Sequence, residues 1–313
     1  MNKRREEVLD QFDELVKHSL DLDFSGIVAK KWSERPEDQE LCSIIENFLK
    51  SLRHVQEYIN YNKEDIKKER FVEYYKIFGN PFEQIDEVET SSGQKVQILE
   101  SSGKDRLRAL FMNECYTMDT DSEKAYHSGL VSLGMHRRRA LDPDTFENLQ
   151  VTIIGGGDGG TLREALEYPV TKANLLELDE EVVHICKKSL PTFSLGAFDD
   201  ERFNPIYGDA FENITGIEEN SQDLVFVDLN DMEAPSEEST VTGSRARHLL
   251  TETDRILREN GVCAAYCGNY PRKYFSMFKK YFHQPTITVA NPRDPSDELN
   301  TAQEWLFASG FKV

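Results

Sequence analysis

Positive charge is what this chain has least of. Its 313 residues carry 37 Lys and Arg against 57 Asp and Glu, a formal net charge of -20. The isoelectric point is about 4.8. A surface this acidic repels nucleic acid and anionic membrane, so neither is an expected partner, and it draws cations toward any cleft. Long apolar runs are also lacking: none approaches membrane-spanning length, and "MNKRREEVLDQFDELV" at the N-terminus has no apolar signal core. A reducing, cytoplasmic compartment is therefore expected. Cysteine is sparse, and Cys42, Cys115, Cys186, Cys263 and Cys267 form an odd set without metal-type pairing. Cys263 and Cys267 share one face of an apolar, strand-like run, so core packing is expected of them. "NIT" at Asn213 matches a glycosylation acceptor, but no secretory signal accompanies it. There is no internal repeat and no low-complexity tract.

What is present is enough apolar material, 38% of residues, for a packed core, and enough chain for two ordinary domains or one with extensions. Residues 1–85 are rich in charge and read as helices: Leu9, Phe12, Leu15 and Val16 recur at helical spacing, as do Ile44, Ile45, Phe48 and Leu49. "KKERFVEYYKIFG" reads as a further helix ending at Gly79, with Pro81 beyond. No catalytic constellation falls there, and a helical packing or dimerisation module, hence a homodimer, is expected. Over 86–118, "QKVQILES" and "RLRALFMN" predict a small antiparallel sheet. "MDTDSEKAYHSGLVSLGM" predicts a helix capped by Asp119 or Asp121. From Gln150 onward strands alternate with helices: "VTIIGGGDGGTLREALEY", "KANLLELDEEVVHICKKSL", "RFNPIYGDAFENI", "SQDLVFVDLND" and "GVCAAYCGN", closed by the strand pair "PTITVAN" and "QEWLFASG". That rhythm implies an α/β fold over 119–313, a doubly wound parallel sheet of Rossmann-like, methyltransferase type with right-handed crossovers.

Ligands of such sheets bind outside the carboxyl ends of the strands. This chain places an acid at four consecutive ends: Asp158, then Glu177 with Asp179, then Asp209, then Asp228 with Asp231. Helix capping accounts for one such acid, not readily for four. Glu177 suits the two hydroxyls of a ribose. Asp209 in "GDAF" suits an exocyclic adenine amine, the N-cap of "AFENI", or both. Five glycines in six positions around Asp158 form a loop of the kind that cradles phosphate. Asp158 repels phosphate, and "GGGDGG" lacks the GxGxxG spacing. The acid asks for a cationic group beside an adenosine, which a sulfonium nucleoside carrying an amine satisfies. Asp228 can accept the proton of an attacking amine. Glu123 and Tyr126, three apart on one helix face, can line a slot for a cationic chain.

These segments resemble the spermidine/spermine synthase family of aminopropyltransferases, in order from Ser92 to Val313. The resemblance implies transfer of an aminopropyl group from decarboxylated S-adenosylmethionine, a co-substrate rather than a cofactor, to a polyamine. It implies that Gln94, Asp158, Glu177, Asp209 and Ala210 bind the donor. Asp228 is then the general base, Tyr126 lines the acceptor slot, and no metal is needed. A magnesium reading of the acids would want a phosphate ligand. "DSEKAY" and Glu304 in "QEWLF" resemble the spermine synthases, which points to spermidine as acceptor, with Glu123, Tyr126, Asp231 and Glu304 around it. Several positions depart from the spermidine synthase pattern: "DLNDMEAPS" replaces the usual "DSSDPxGPA", Thr117 stands where a glutamine is usual, and Ser128 follows Tyr126 and His127 in place of a glutamate. The donor side is intact and the acceptor side altered. Spermidine or thermospermine synthesis, methyl transfer from intact S-adenosylmethionine, and a non-catalytic polyamine sensor are the competing readings.

Overall fold

The central strands are apolar on both faces, which is the pattern of a parallel sheet covered on both sides. The computed structural model describes residues 82–101, 106–113, 115–229, 243–268, 271–290 and 305–313. The helical segments expected before residue 82, and Asp231 and Glu304, lie outside the described residues. Asn80–Val313 forms one compact unit, separate from Met1–Gly79.

Seven strands make the large sheet: β5 (Leu149–Gly155), β6 (Val170–Glu177), β7 (Phe203–Tyr207), β8 (Gln222–Asp228), β9 (Leu257–Tyr266), β10 (His283–Ala290) and β11 (Trp305–Phe311). Their order is β10-β11-β9-β8-β5-β6-β7. β5 to β9 run parallel, while β11 runs antiparallel between β9 and β10. This is the expected doubly wound sheet, with the closing hairpin inserted at one edge. The strand order reverses between β5 and β8, so a crevice opens at their carboxyl ends.

Side chains alternate between two cores, as a period of two requires. Val151, Ile153, Leu224 and Phe226 enter one core with α1 (Glu123–Leu141), α2 (Gly160–Leu166) and α3 (Glu180–Ser189). Ile154, Val225 and Val227 enter the other with α6 (Ser244–Ile256) and α7 (Pro271–Phe278). Two short helices, α4 (Pro191–Ser194) and α5 (Ala210–Asn213), complete the set. Cys263 and Cys267 both enter the second core, as their shared face predicts. Burial raises both thiols, that of Cys267 to about 12, so they pack as apolar groups.

The small sheet is a four-stranded meander of β1 (Phe82–Glu89), β2 (Lys95–Ser101), β3 (Arg108–Met112) and β4 (Cys115–Asp119). It is wider than the two strands that alternation reveals. Residues 82–85 belong to β1, not to a helical segment. The acidic β1, "FEQIDEVE", has a register shift between Gln84 and Asp86, which breaks its alternation. Val96, Ile98, Leu110 and Met118 join the first core. Met118 and Asp119 end β4, and α1 starts later than its sequence suggests, at Glu123. Neither Asp119 nor Asp121 is its N-cap: that position is Ser122, whose amide and hydroxyl both donate to Asp119 Oδ1 at 2.8 and 2.6 Å.

Candidate active site

The strand ends gather the expected acids. Asp228 ends β8 beside Gly155, where β5 runs into the glycine loop. Its carboxylate is half-buried and takes two hydroxyls: Tyr126 Oη donates to Oδ1 at 2.5 Å, and Thr161 Oγ1 donates to Oδ2 at 2.6 Å. Burial raises its proton affinity. The His127 charge opposes that rise and the Asp158 charge adds to it, and the balance stays raised. Burial and the Asp228 charge hold the Tyr126 phenol well above its ordinary value, so it stays a donor. Around Tyr126 stand Trp305, Phe307 and Tyr266, their ring centres 5.3, 5.3 and 5.5 Å away. An aromatic wall beside a carboxylate suits a cationic ligand.

Asp158 caps the first turn of α2, its Oδ1 accepting from the Gly160 amide at 2.9 Å. Its Oδ2 lies 3.3 Å from His127 Nε2, an ion-pair contact off the line of a good hydrogen bond. His127 is fully buried, and its Nδ1 lies 3.0 Å from Glu123 Oε2. Burial works against its charge, but Asp158, Glu123 and Asp228 outweigh burial and raise its pKa to about 10. At neutral pH it is an imidazolium. That charge, the Gly160 amide and Arg163 overcome the burial of Asp158 and keep it ionised. Part of the answer to an aspartate in a glycine loop is thus internal: the cation it meets in this structure is His127. A Cβ at Gly160 would overlap the His127 ring, and one at Gly157 would stand 2.7 Å from Glu177 Oε2. The glycines make room for the protein's own site residues as well as for a ligand.

Glu123, expected to line an acceptor slot, meets partners within the protein. Its two oxygens meet the Arg163 guanidinium, each at 3.0 Å, and Oε2 also faces His127. Arg163 donates further to the Thr192 and Phe193 carbonyls. With 5% of its surface exposed, Glu123 is committed to Arg163 and His127, and it anchors the latter.

On the other side of the loop, Glu177 ends β6. Its Oε2 accepts from Gly157 N at 3.1 Å and its Oε1 from Asp179 N at 3.2 Å. Burial raises its pKa to about 7 despite those amides. Gln94 lies close by, with Nε2 donating to Asp179 Oδ2 at 2.8 Å; Thr90 and Ser92 donate to the same oxygen. Asp179 thereby hooks the β1–β2 turn of the small sheet onto the edge of the crevice. Asp209 holds the capping half of its expected role, accepting from Phe211 N at 2.9 Å, with Ala210 buried behind it. Both its oxygens also meet Arg245, at 3.0 and 2.9 Å.

Sequence reasoning overlooked His127, Thr161, Arg163 and Arg245. A signal existed for the first: Glu123 and His127 stand four apart, the spacing that pairs side chains on a helix. For the others the partner lies on a distant element, and local spacing holds no sign of it. A cavity of about 540 Å³ opens elsewhere, between α1 and the β10–β11 hairpin, lined by Arg137, Thr286 and Ser309 among others. None of the gathered acids lines it.

Comparison with known proteins bears on this geometry. The Spermine/spermidine synthase domain pattern matches residues 123–291, more than half of the chain. A polyamine aminopropyltransferase of Prochlorococcus marinus (strain MIT 9312) is 34% identical over 210 residues, which cover 64% of this chain and 69% of that one. Its counterpart in strain NATL1A is 33% identical over 177 residues, 56% and 57% of the two chains. The chain thus spans little more than half to two thirds of these relatives. Among solved structures, spermidine synthase from Thermotoga maritima superimposes with a TM-score of 0.58 at 24% identity, covering 74% of this chain and 73% of that one. That likeness concerns the fold. The match over residues 123–291 spans every carboxyl-end acid of the parallel sheet, and on it the chain belongs to the spermine/spermidine synthase family.

Proposed function

We propose that the protein transfers an aminopropyl group from decarboxylated S-adenosylmethionine to a polyamine, with spermidine as the acceptor. The observation that carries the reading is the placement of Asp228. It sits at the switch point of the sheet, raised in proton affinity and hydrogen-bonded to Tyr126, whose own ring packs against Trp305, Phe307 and Tyr266. In this reading Glu177 takes the ribose hydroxyls and Asp209 with Ala210 borders the adenine. Gln94 stands beside Asp179 at the same edge. Asp158 draws the donor's amine, and the donor and acceptor are the only small molecules required, with no resident cofactor.

The chemistry is a single displacement. The acceptor nitrogen attacks the methylene carbon beside the sulfonium and a C–N bond forms. The C–S bond breaks, its electron pair returns to sulfur, and methylthioadenosine leaves as a neutral thioether. The nitrogen, now carrying an extra proton and a positive charge, passes that proton to Asp228. Holding the nitrogen in line supplies much of the acceleration, and a base with raised proton affinity is well matched to its task. Among the described residues the site holds more carboxylates than cations: Glu123 and Asp158 meet His127 and Arg163, while Asp228 and Glu177 are held by hydroxyls and amides. That surplus favours a donor without a carboxylate over intact S-adenosylmethionine, which bears on methyl transfer.

For the acceptor, the support lies in "DSEKAY" and in Glu304 immediately before Trp305. The test is mass spectrometry of products formed from the decarboxylated donor with putrescine, spermidine and longer amines in turn. Spermine from spermidine is the expected product. Extension of putrescine alone would overturn the acceptor, and methylated amines from the intact donor would overturn the reaction.

A further inference from the structure

Asp228 is held from two helices, and only one of its holders enters the reaction as described. Tyr126 comes from α1. The other hydroxyl belongs to Thr161, the second residue of α2, which is fully buried. Its Oγ1 donates to Asp228 Oδ2 at 2.6 Å. Gly156 also runs close to that oxygen, where an added Cβ would stand 2.9 Å from Oδ2. A buried hydroxyl needs a partner, and the partner this one has is the carboxylate at the switch point. Valine has the same branched shape and would fill the same space, so packing alone does not call for the hydroxyl.

We propose that Thr161 is a positioning residue for the proton-accepting carboxylate: its hydroxyl pins Asp228 Oδ2 and favours the ionised form, leaving the remaining lone pairs to meet the amine. The proposal rests on the aminopropyl-transfer reading of Asp228. Each carboxylate oxygen can accept more than one hydrogen bond, so the two hydroxyls steer the base without blocking it. The charged and titratable groups facing Asp228 are Tyr126 and His127 from α1, Asp158 from the glycine loop and Tyr266 from β9. Burial and Asp158 drive a proton onto Asp228; His127 and the two hydroxyls keep it off. With one hydroxyl gone, Asp228 holds its proton to higher pH and must be deprotonated before it can act.

The experiment compares wild type, Thr161→Val and Thr161→Ser by the pH profile of kcat/KM with decarboxylated donor and spermidine. In parallel, the Asp228 carboxyl carbon is titrated by NMR in protein labelled with 13C-aspartate, its signal assigned by its loss in Asp228→Asn. Thr161→Val is expected to move the acid limb and the carbon titration upward together by about one pH unit, which lowers kcat/KM about tenfold on the acid side. Thr161→Ser, which keeps the hydroxyl, is expected to restore both midpoints. Unmoved midpoints in Thr161→Val, or an equal shift in Thr161→Ser, would overturn the proposal. If the wild type extends no amine, the transfer reading fails by itself, and the carbon titration still decides whether Thr161 holds Asp228.

Discussion

Asp223 and Asp228 sit on the same strand, at opposite ends of the sheet, the first buried and the second half-buried. At the amino end, Asp223 meets two guanidiniums, Arg138 at 3.3 Å and Arg258 at 3.2 Å, and accepts from the Gln150 amide at 2.8 Å. Arg138 also ties the end of α1 to the Asp142 carbonyl and the Thr145 hydroxyl. One acid there has two cations. At the carboxyl end acids outnumber the cations that meet them: Glu123 and Asp158 meet His127, Glu123 and Glu164 share Arg163, and Asp228 and Glu177 are hydrogen-bonded by hydroxyls and amides instead. Burying a charge is costly unless it is paired. The balanced end is therefore read as a clamp, and the unbalanced end as a site that a cationic ligand completes.

Asp228→Asn should break the comparison most severely. It removes the proton acceptor and keeps the shape, so kcat should fall by about 10²–10⁴-fold while calorimetry finds the donor still bound. Unchanged turnover would remove Asp228 from the mechanism. At the other end, Arg138→Met leaves Asp223 short of a cation. Losing one partner of a buried pair costs about 3–5 kcal/mol, read as a lower midpoint in denaturant melts, with KM for both substrates unchanged. If that variant instead lost donor binding at full stability, the two ends would not be separate in role.

A smaller effect sharpens the unbalanced end. Glu177 takes up its proton near pH 7 in the free protein, above its ordinary 4.5. A ribose diol donates to the ionised form, so donor binding must expel that proton at lower pH. Affinity is then level above pH 7 and weakens by up to about tenfold per unit below it. Calorimetry in buffers of different ionisation enthalpy would detect the released proton; a pH-independent affinity would take Glu177 out of the donor site.

How far the sequence alone carries differs between the same regions. Strands β5, β6 and β8 are legible because each is an apolar run with an acid at or just past its end, and those acids do converge. β1 and β4 are not legible, since a register shift in one and the polar "CYTMD" of the other hide their alternation. In the site, the strand-end carboxylates show themselves through position, but their counter-charges do not. Glu123 reads as an acid lining an acceptor slot until Arg163, forty residues away, is seen to hold it. His127 reads as one member of "AYH" until the fold sets it between two carboxylates. Pairing across elements is a property of packing, and local spacing cannot carry it.

The most direct test of the central claim, that the excess of carboxyl groups over cations at the carboxyl end selects the donor, is calorimetric titration of the protein with decarboxylated and with intact S-adenosylmethionine. The two differ by one carboxylate. A buried acidic site that excludes it should favour the decarboxylated form by about 10–100-fold, the worth of a charged contact. Equal affinities, or tighter binding of the intact molecule, would contradict the account.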